Sequence, residues 1–265
     1  MAAIKVLVHG ALGKMGQAVA AGLAQEPDID IVAGVDVAAR PEDTSLAIGG
    51  RAVPLAATVE ALLDSAGPDV LVDFSRADAT LPAVRAATQR GVHFVVGTTG
   101  IPEDAVAEME ALARERGVGG VVASNFALGA VLLMHLAQRA SPFFEYAEII
   151  ETHHETKIDA PSGTAAATAR LMLEARGEPF KRNVPEKETL AGTRGGEYGG
   201  VTVHSVRLPG TMAHQEVVFG IAGQTLTIRH DTINRDCYVP GVVMAVRHVM
   251  DHKGLVLGLD RLMGL

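Results

Sequence analysis

The chain has 265 residues, 48% hydrophobic and 20% charged, the balance of a folded globular protein rather than a disordered or fibrous one, and the length suits two modest domains with separate cores. A formal net charge of -8 disfavours binding to nucleic acid or acidic membranes, which needs clustered Lys and Arg to displace counterions. No run reaches about 18 uninterrupted apolar residues, and the N-terminus leads straight into a strand-like stretch, so the expectation is a cytoplasmic protein without a membrane span or secretion signal.

In chain order, the first half alternates short apolar runs with helical stretches. Residues 4–8, 29–35, 70–74, 94–96 and 121–123 are nearly continuous apolar runs, the pattern of parallel strands covered on both faces. Residues 14–24, 77–90 and 102–116 have helical length and composition, with Pro102 suited to a first turn and Gly91 and Gly117 following helix ends. Repeated β-α-β units predict an α/β domain built on a doubly wound parallel sheet.

Gly10-Ala11-Leu12-Gly13-Lys14-Met15-Gly16 follows the first strand and opens the first helix. Glycines there serve a tight turn, close backbone approach to a pyrophosphate and close packing of helix on sheet, while the helix N-terminus offers N–H groups to phosphates. Leu12 stands where the usual G-x-G-x-x-G pattern has glycine, and an ordinary strand-to-helix turn would show the same three glycines. Asp36, at the end of the second strand and about 20 residues on, strengthens the dinucleotide reading, because its carboxylate can accept both ribose hydroxyls of an adenosine. Lys14 is either a contact to a pyrophosphate or 2′-phosphate or a solvated surface lysine. Gly97-Thr98-Thr99-Gly100 follows a further strand, at the carboxyl edge where open α/β sheets bind ligands, and suits a nicotinamide ribose or carboxamide.

After about residue 140 the rhythm changes. Residues 145–153 predict a strand and 163–176 an alanine-rich helix, followed by a Gly-rich, charged loop to about residue 200. Strands at 201–207, 215–221 and 224–230 come next, the last two joined by a tight Ala222-Gly223 turn, which makes a mixed or antiparallel sheet. A final helix at 238–250 is expected to return to the first domain. Cys237, the one cysteine, has no intrachain disulfide partner; it is expected to be buried and structural, which argues against thioester chemistry.

The most informative stretch runs from Glu151 to Ala165. Adjacent strand side chains point to opposite faces, so His153 and His154 can share a site only where the strand ends. Ser162-Gly163-Thr164 supplies a turn feeding a helix, whose N–H groups and hydroxyls form a carboxylate site. Lys157 adds a fixed positive charge. Two imidazoles, an ammonium and a helix N-terminus point to an anionic substrate and proton transfer; the spacing lacks a metal-site pattern, and no metal is expected.

Glu151 to Thr164 closely resembles the E-x-H-H-x-x-K-x-D-A-P-S-G-T signature of the 4-hydroxy-tetrahydrodipicolinate reductase family, also called dihydrodipicolinate reductases. The likeness extends over the chain, taking in Gly10 to Gly16, Gly97 to Gly100, Ser124-Asn125-Phe126 with Gly129, Arg194-Gly195-Gly196 and residues 214–236. The resemblance implies a Rossmann-type cofactor domain at 1–125 plus 235–265, and a smaller α+β substrate and tetramerisation domain at 126–234. It also implies hydride transfer from NADH or NADPH to a cyclic dicarboxylate, giving tetrahydrodipicolinate in lysine and diaminopimelate biosynthesis. Carried residue by residue, it makes His153 the general acid, with Lys157 a substrate contact and possible second proton donor. His154 contacts substrate, Gly163 and Thr164 bind a carboxylate, and Ala123, Ser124, Asn125 and Phe126 lie near the nicotinamide. In some members an arginine follows the ribose-binding acid; here Val37 follows Asp36, which argues against a strong NADPH preference. Two alternatives share these features: another two-domain NAD(P)-dependent amino-acid dehydrogenase, and a non-catalytic NAD(H)-sensing protein on the same fold.

Overall fold

Each apolar run of the first half forms a strand in the computed structural model, which describes residues 2–182 and 187–265. The elements are β1 (Ile4–His9), α1 (Lys14–Leu23), β2 (Ile29–Val35), β3 (Ser45–Ile48), β4 (Arg51–Ala56), α2 (Glu60–Ala66), β5 (Val70–Asp73), α3 (Ala77–Thr88), β6 (His93–Val96), α4 (Glu103–Arg116) and β7 (Gly119–Val122). After these come α5 (Leu128–Ala140), β8 (Tyr146–His153), α6 (Gly163–Arg176), β9 (Gly196–Tyr198), β10 (Val201–Arg207), β11 (Ala213–Ile221), β12 (Gln224–Thr232), α7 (Val239–Asp251), β13 (Gly254–Leu257) and α8 (Leu259–Met263). Of the loop expected after Arg176, residues 183–186 lie outside the described residues.

The chain divides into two units, one running to Leu128 and resuming at Arg235–Leu265, the other Gly129–Asn234. In the first, eight strands follow the order β13-β7-β6-β5-β1-β2-β4-β3, parallel throughout except for the β3–β4 hairpin. The order reverses between β1 and β5, the switch point at which such sheets bind ligands. Leu7, Leu71 and Phe94 are fully buried on one face, against α2, α3 and α4, and Val6, Val8, Val70, Val72 and Val95 are fully buried on the other, as the continuous apolar runs require. β7 begins two residues earlier than its apolar run suggests. Gly119 and Gly120 carry no β signal of their own, yet a Cβ on Gly120 would lie 2.3 Å from the Phe94 ring, so close packing selects glycine there. The division at Leu128 falls three residues beyond the expected one. Phe126 explains the shift: its ring meets that of Phe74 at 5.8 Å, and its carbonyl packs where a Gly241 side chain would be.

In the second unit a five-stranded sheet has the order β12-β11-β8-β10-β9, with β10 parallel to β8 and the other pairs antiparallel. The β11–β12 turn closes on Gly223 at a φ of +81°, as the Ala222-Gly223 pair predicts. One face of the sheet is packed through Ile149, Val217, Phe219 and Met172 of α6. On β8 the inward positions read Ala147, Ile149, Glu151 and His153, so an alternating apolar strand ends in two polar groups on its core face. Cys237 lies in a short 3-10 turn before α7 and is half-buried, where the sequence suggested a buried side chain.

Candidate active site

The cofactor-side residues gather at the carboxyl edge of the eight-stranded sheet. The chain leaves β1 at Gly10 with a φ of +83°, and a Cβ there would lie 2.4 Å from the Phe74 carbonyl oxygen. Gly16 is tighter: its Cβ would stand 2.0 Å from the Gly10 oxygen, so α1 can pack on the turn only with glycine. Gly13 at the head of α1 supplies no side-chain cap, which leaves the first-turn N–H groups and the positive dipole end for an anion. Asp36 ties the second strand to this turn, its Oδ2 accepting the Leu12 N–H and its Oδ1 that of Ala38, each at 2.9 Å. A carboxylate offers about four lone-pair sites, so acceptor capacity remains for ribose hydroxyls. Lys14 and Val37 are exposed. A glycine cradle that any Cβ would fill, next to an acidic strand end, fits a dinucleotide.

Beside the turn, a cleft of about 280 Å³ is lined by Met15, Phe74, Ser75, Gly97, Thr98, Thr99, Ser124, Asn125, Phe126 and Tyr238. It brings together six of the residues expected near nicotinamide. Ala123 does not join them: it is buried and its N–H goes to the Val96 carbonyl at 3.0 Å. Ala11 is likewise fully buried, so it has only backbone to offer. The Thr98 hydroxyl is already engaged, donating to Asp73 Oδ2 at 2.9 Å and accepting the Ser75 N–H at 2.9 Å. Phe74, Ser75 and Tyr238 are lining residues that the sequence motifs miss.

In the second unit, the end of β8 carries a polar constellation on a single strand face. Glu151 is completely buried, and its Oε1 accepts from Arg207 Nη2 at 2.8 Å and from the Ser162 N–H at 3.1 Å. Its Oε2 accepts from Arg207 Nη1 at 2.9 Å and lies 2.5 Å from His153 Nδ1. Arg207 reaches them because β10 runs parallel to β8 with Arg207 opposite His153 and Ser205 opposite Glu151. Burial alone would raise the Glu151 pKa, but hydrogen bonds from Arg207, Ser205 and His153 outweigh it and hold the carboxyl below its ordinary range. An ionised Glu151 makes Nδ1 of His153 the proton-bearing donor and leaves Nε2 for chemistry. Burial lowers the His153 pKa, aided by Lys157 and Arg207, while Glu151 pulls it back up.

His154 stands just outside the strand, its Nδ1 2.8 Å from Thr156 Oγ1, in a turn closed by the Lys157 N–H on its own carbonyl at 3.1 Å. Lys157 Nζ donates to Asp159 at 2.7 Å and is only 21% exposed. Ser162 differs from its expected role as a substrate contact. It is buried, its hydroxyl caps α6 by accepting the Ala165 N–H at 3.1 Å, and its own N–H serves Glu151. Gly163 instead has open space, since a Cβ there would meet nothing within 4 Å. The sequence motifs miss Glu151 as a buried partner and Arg207 altogether. Glu151 had a signal in its two-residue spacing from His153; Arg207 becomes visible only through the β8–β10 register.

A doubly wound sheet with a dinucleotide cradle at its switch point, in one chain with an acid-bearing unit, defines a two-unit nucleotide-dependent oxidoreductase. The family described as "Dihydrodipicolinate reductase, N-terminus" matches residues 4–126, and "Dihydrodipicolinate reductase, C-terminus" matches residues 129–263. A 4-hydroxy-tetrahydrodipicolinate reductase of Dehalococcoides mccartyi is 51% identical over 265 residues, covering all of both chains. One from Moorella thermoacetica is 46% identical over 99% of each. Among solved structures, the dipicolinate-bound dihydrodipicolinate reductase from Paenisporosarcina sp. TG-14 superposes with a TM-score of 0.87 at 38% identity, over 98% of this chain and 99% of that one. An amine dehydrogenase from Mycobacterium smegmatis shares the fold alone, at 14% identity and a TM-score of 0.62. The chain belongs to the dihydrodipicolinate reductase family, and is an oxidoreductase that uses NADH or NADPH. Among the described residues, no helix is long and apolar enough to cross a membrane.

Proposed function

We propose that the chain reduces the conjugated cyclic imine derived from 4-hydroxy-tetrahydrodipicolinate to tetrahydrodipicolinate, a step of diaminopimelate and lysine biosynthesis. The observation that carries this reading is His153 anchored through Nδ1 to the buried Glu151–Arg207 pair, whose carboxylate also accepts the N–H of Ser162 at the open N-terminus of α6.

When bound, NADH or NADPH supplies the hydride. Gly10, Gly13, Gly16 and the head of α1 hold its pyrophosphate, Asp36 its adenosine ribose, and the cleft of Phe74, Thr98 and Asn125 its nicotinamide. Hydride addition to a conjugated imine leaves an electron-rich enamine, which needs a proton. His153 delivers it from Nε2 as an imidazolium, Glu151 holding the ring by Nδ1 and stabilising the charge. The N–H groups of Gly163 and Thr164 take one substrate carboxylate, and His154 and Lys157 contact the substrate around it. Charge-assisted hydrogen bonds of about 1.5 to 3 kcal/mol each suffice for a dianion despite the acidic chain. The family resemblance makes Lys157 a second group that assists proton delivery.

The first unit is thus the cofactor domain and the second the substrate domain, the latter also mediating assembly into a homotetramer in the cytoplasm. Support for assembly comes from the sheet face opposite the Ile149 core: Ile150 and Val218 are only half-buried there and Val206 is 39% exposed. The test of function is to mix freshly made substrate with NADH or NADPH and follow loss of nicotinamide absorbance. Folded protein that oxidises neither cofactor would overturn the proposal.

A further inference from the structure

One buried carboxylate has no place in the chemistry above. Asp73 closes β5 at the switch point of the sheet and has no solvent exposure. An ionised group in such a place costs several kcal/mol unless its oxygens are satisfied, and those of Asp73 are. Oδ2 accepts from Thr80 Oγ1 at 2.6 Å and Thr98 Oγ1 at 2.9 Å. Oδ1 accepts from Ser75 Oγ at 2.5 Å and the Ser75 N–H at 3.3 Å, with His9 Nδ1 2.9 Å away at an angle poor for a hydrogen bond. Burial would raise its pKa, but His9 and the hydroxyls outweigh that and keep the carboxyl ionised at neutral pH.

The Thr80 contact ties β5 to α3, which is reason enough for one oxygen. The contacts to Ser75 and Thr98 need another explanation, because both residues line the cleft. A hydroxyl has one proton and two lone pairs, and a carboxylate can only accept. Asp73 therefore takes the single proton of Ser75 and that of Thr98, and turns both hydroxyls into acceptors toward the cleft. Thr98 also receives the Ser75 N–H, so one lone pair remains to it. A wall of acceptors selects a ligand group that donates, and the carboxamide NH2 of nicotinamide is such a group.

We propose that Asp73 is a positioning residue that sets the hydrogen-bond polarity of the nicotinamide cleft through Ser75 and Thr98, and so favours a carboxamide over groups that only accept. The inference rests on the reading of this cleft as the cofactor's nicotinamide site. In Asp73→Asn the amide must donate to one hydroxyl, which reverses that hydroxyl and points its proton at the cleft.

The test compares Kd values by fluorescence and calorimetry for NADH, for the reduced 3-acetylpyridine analogue, whose ketone lacks the NH2, and for ADP-ribose, which lacks the ring. Wild type should prefer NADH to the analogue by about 3- to 10-fold, the worth of one neutral hydrogen bond. Asp73→Asn should lose that preference while binding ADP-ribose within twofold of wild type. Equal weakening of all three ligands would make Asp73 merely structural and overturn the proposal, as would an unchanged preference. If Asp73→Asn does not fold, Thr98→Val and Ser75→Ala carry the same comparison, and an unaltered preference in both overturns it. Wild type that binds neither NADH nor ADP-ribose would instead remove the cofactor-site reading beneath it.

Discussion

Replacing Glu151 by Gln tests whether the buried carboxylate organises the acid. The change keeps the shape but removes the charge that holds both Arg207 nitrogens, at 2.8 and 2.9 Å, and His153 Nδ1, at 2.5 Å. Breaking a fully buried ion pair costs about 3 to 5 kcal/mol. The Arg207 side chain is 19% exposed and can turn partly to water, so about 2 to 3 kcal/mol is the better expectation, or roughly 5 to 10 °C in Tm. The chemical effect is separable from this loss. Glu151 is what raises the His153 pKa against burial, Lys157 and Arg207, so without it the imidazole gives up its proton at lower pH. On the proposed mechanism turnover requires protonated His153 and falls as pH rises through its pKa; in Glu151→Gln that fall should begin at lower pH than in wild type, with kcat at the plateau down by about 10². Glu151→Asp keeps the charge and should leave the limb close to its wild-type position even if kcat drops. The assay is kcat against pH under saturating cofactor and substrate, with Tm measured alongside. A Glu151→Gln variant with lowered Tm but an unmoved limb would show that Glu151 only holds β8 to β10, and the reasoning would fail.

The remaining expectations are shorter. With Val37 exposed after Asp36, NADH should serve at least as well as NADPH; a kcat/KM favouring NADPH by tenfold, about 1.4 kcal/mol, would mean that a cation reads the 2′-phosphate. Gly16→Ala should abolish nucleotide binding by fluorescence, because its Cβ would sit 2.0 Å from a carbonyl oxygen, whereas Gly163→Ala, with open space around it, should keep its Tm and raise the substrate KM. A Gly163→Ala protein with wild-type KM would place the carboxylate elsewhere. His153→Gln should bind cofactor and substrate nearly normally and lose about 10² to 10⁴ in kcat, while Lys157→Ala should chiefly raise KM and His154→Ala do so more weakly; full activity in His153→Gln would remove the proposed acid. Light scattering should give the mass of four chains, and a monomer would count against the sheet face as an interface.

How much of this was legible in the sequence depends on whether the signal was local. The parallel strands could be read because double burial writes itself as continuous apolar runs, and the cofactor turn because steric demands at Gly10 and Gly16 admit one residue type. The β3–β4 hairpin at Ser45–Ala56 and the short β13 went unread although Leu255-Val256-Leu257 is as apolar as the run at 94–96; they lie at the two sides of the sheet, where these strands are only partly buried. At the acid site, the histidines and Lys157 lie within five residues and were visible together. Arg207 lies 56 residues from Glu151, and only strand pairing brings it there. Asp73 was hidden differently: it sits at the end of Val70-Leu71-Val72, where its strand looked simply apolar. Ser162 was visible but its role was not, because a capping hydroxyl and a ligand-binding hydroxyl have the same sequence signature.

The two cations beside His153 look alike in sequence and differ in what they can give a ligand. Arg207 is held by both oxygens of a carboxylate with no solvent exposure and also donates to the Asp159 carbonyl at 2.6 Å, so no substrate can take its guanidinium without stranding Glu151. Lys157 is paired with the side chain of Asp159, which is 57% exposed, and pairs of that kind are worth at most about 1 kcal/mol. A substrate carboxylate can displace Asp159 at small cost, since the released side chain returns to water. If Lys157 meets the substrate as proposed, it is the exchangeable charge of the site, and Asp159 keeps it paired until a dianion arrives. Arg207 would then serve the proposed acid by fixing Glu151, so that an acidic chain could place a buried carboxylate next to its proton donor and still attract a negatively charged substrate.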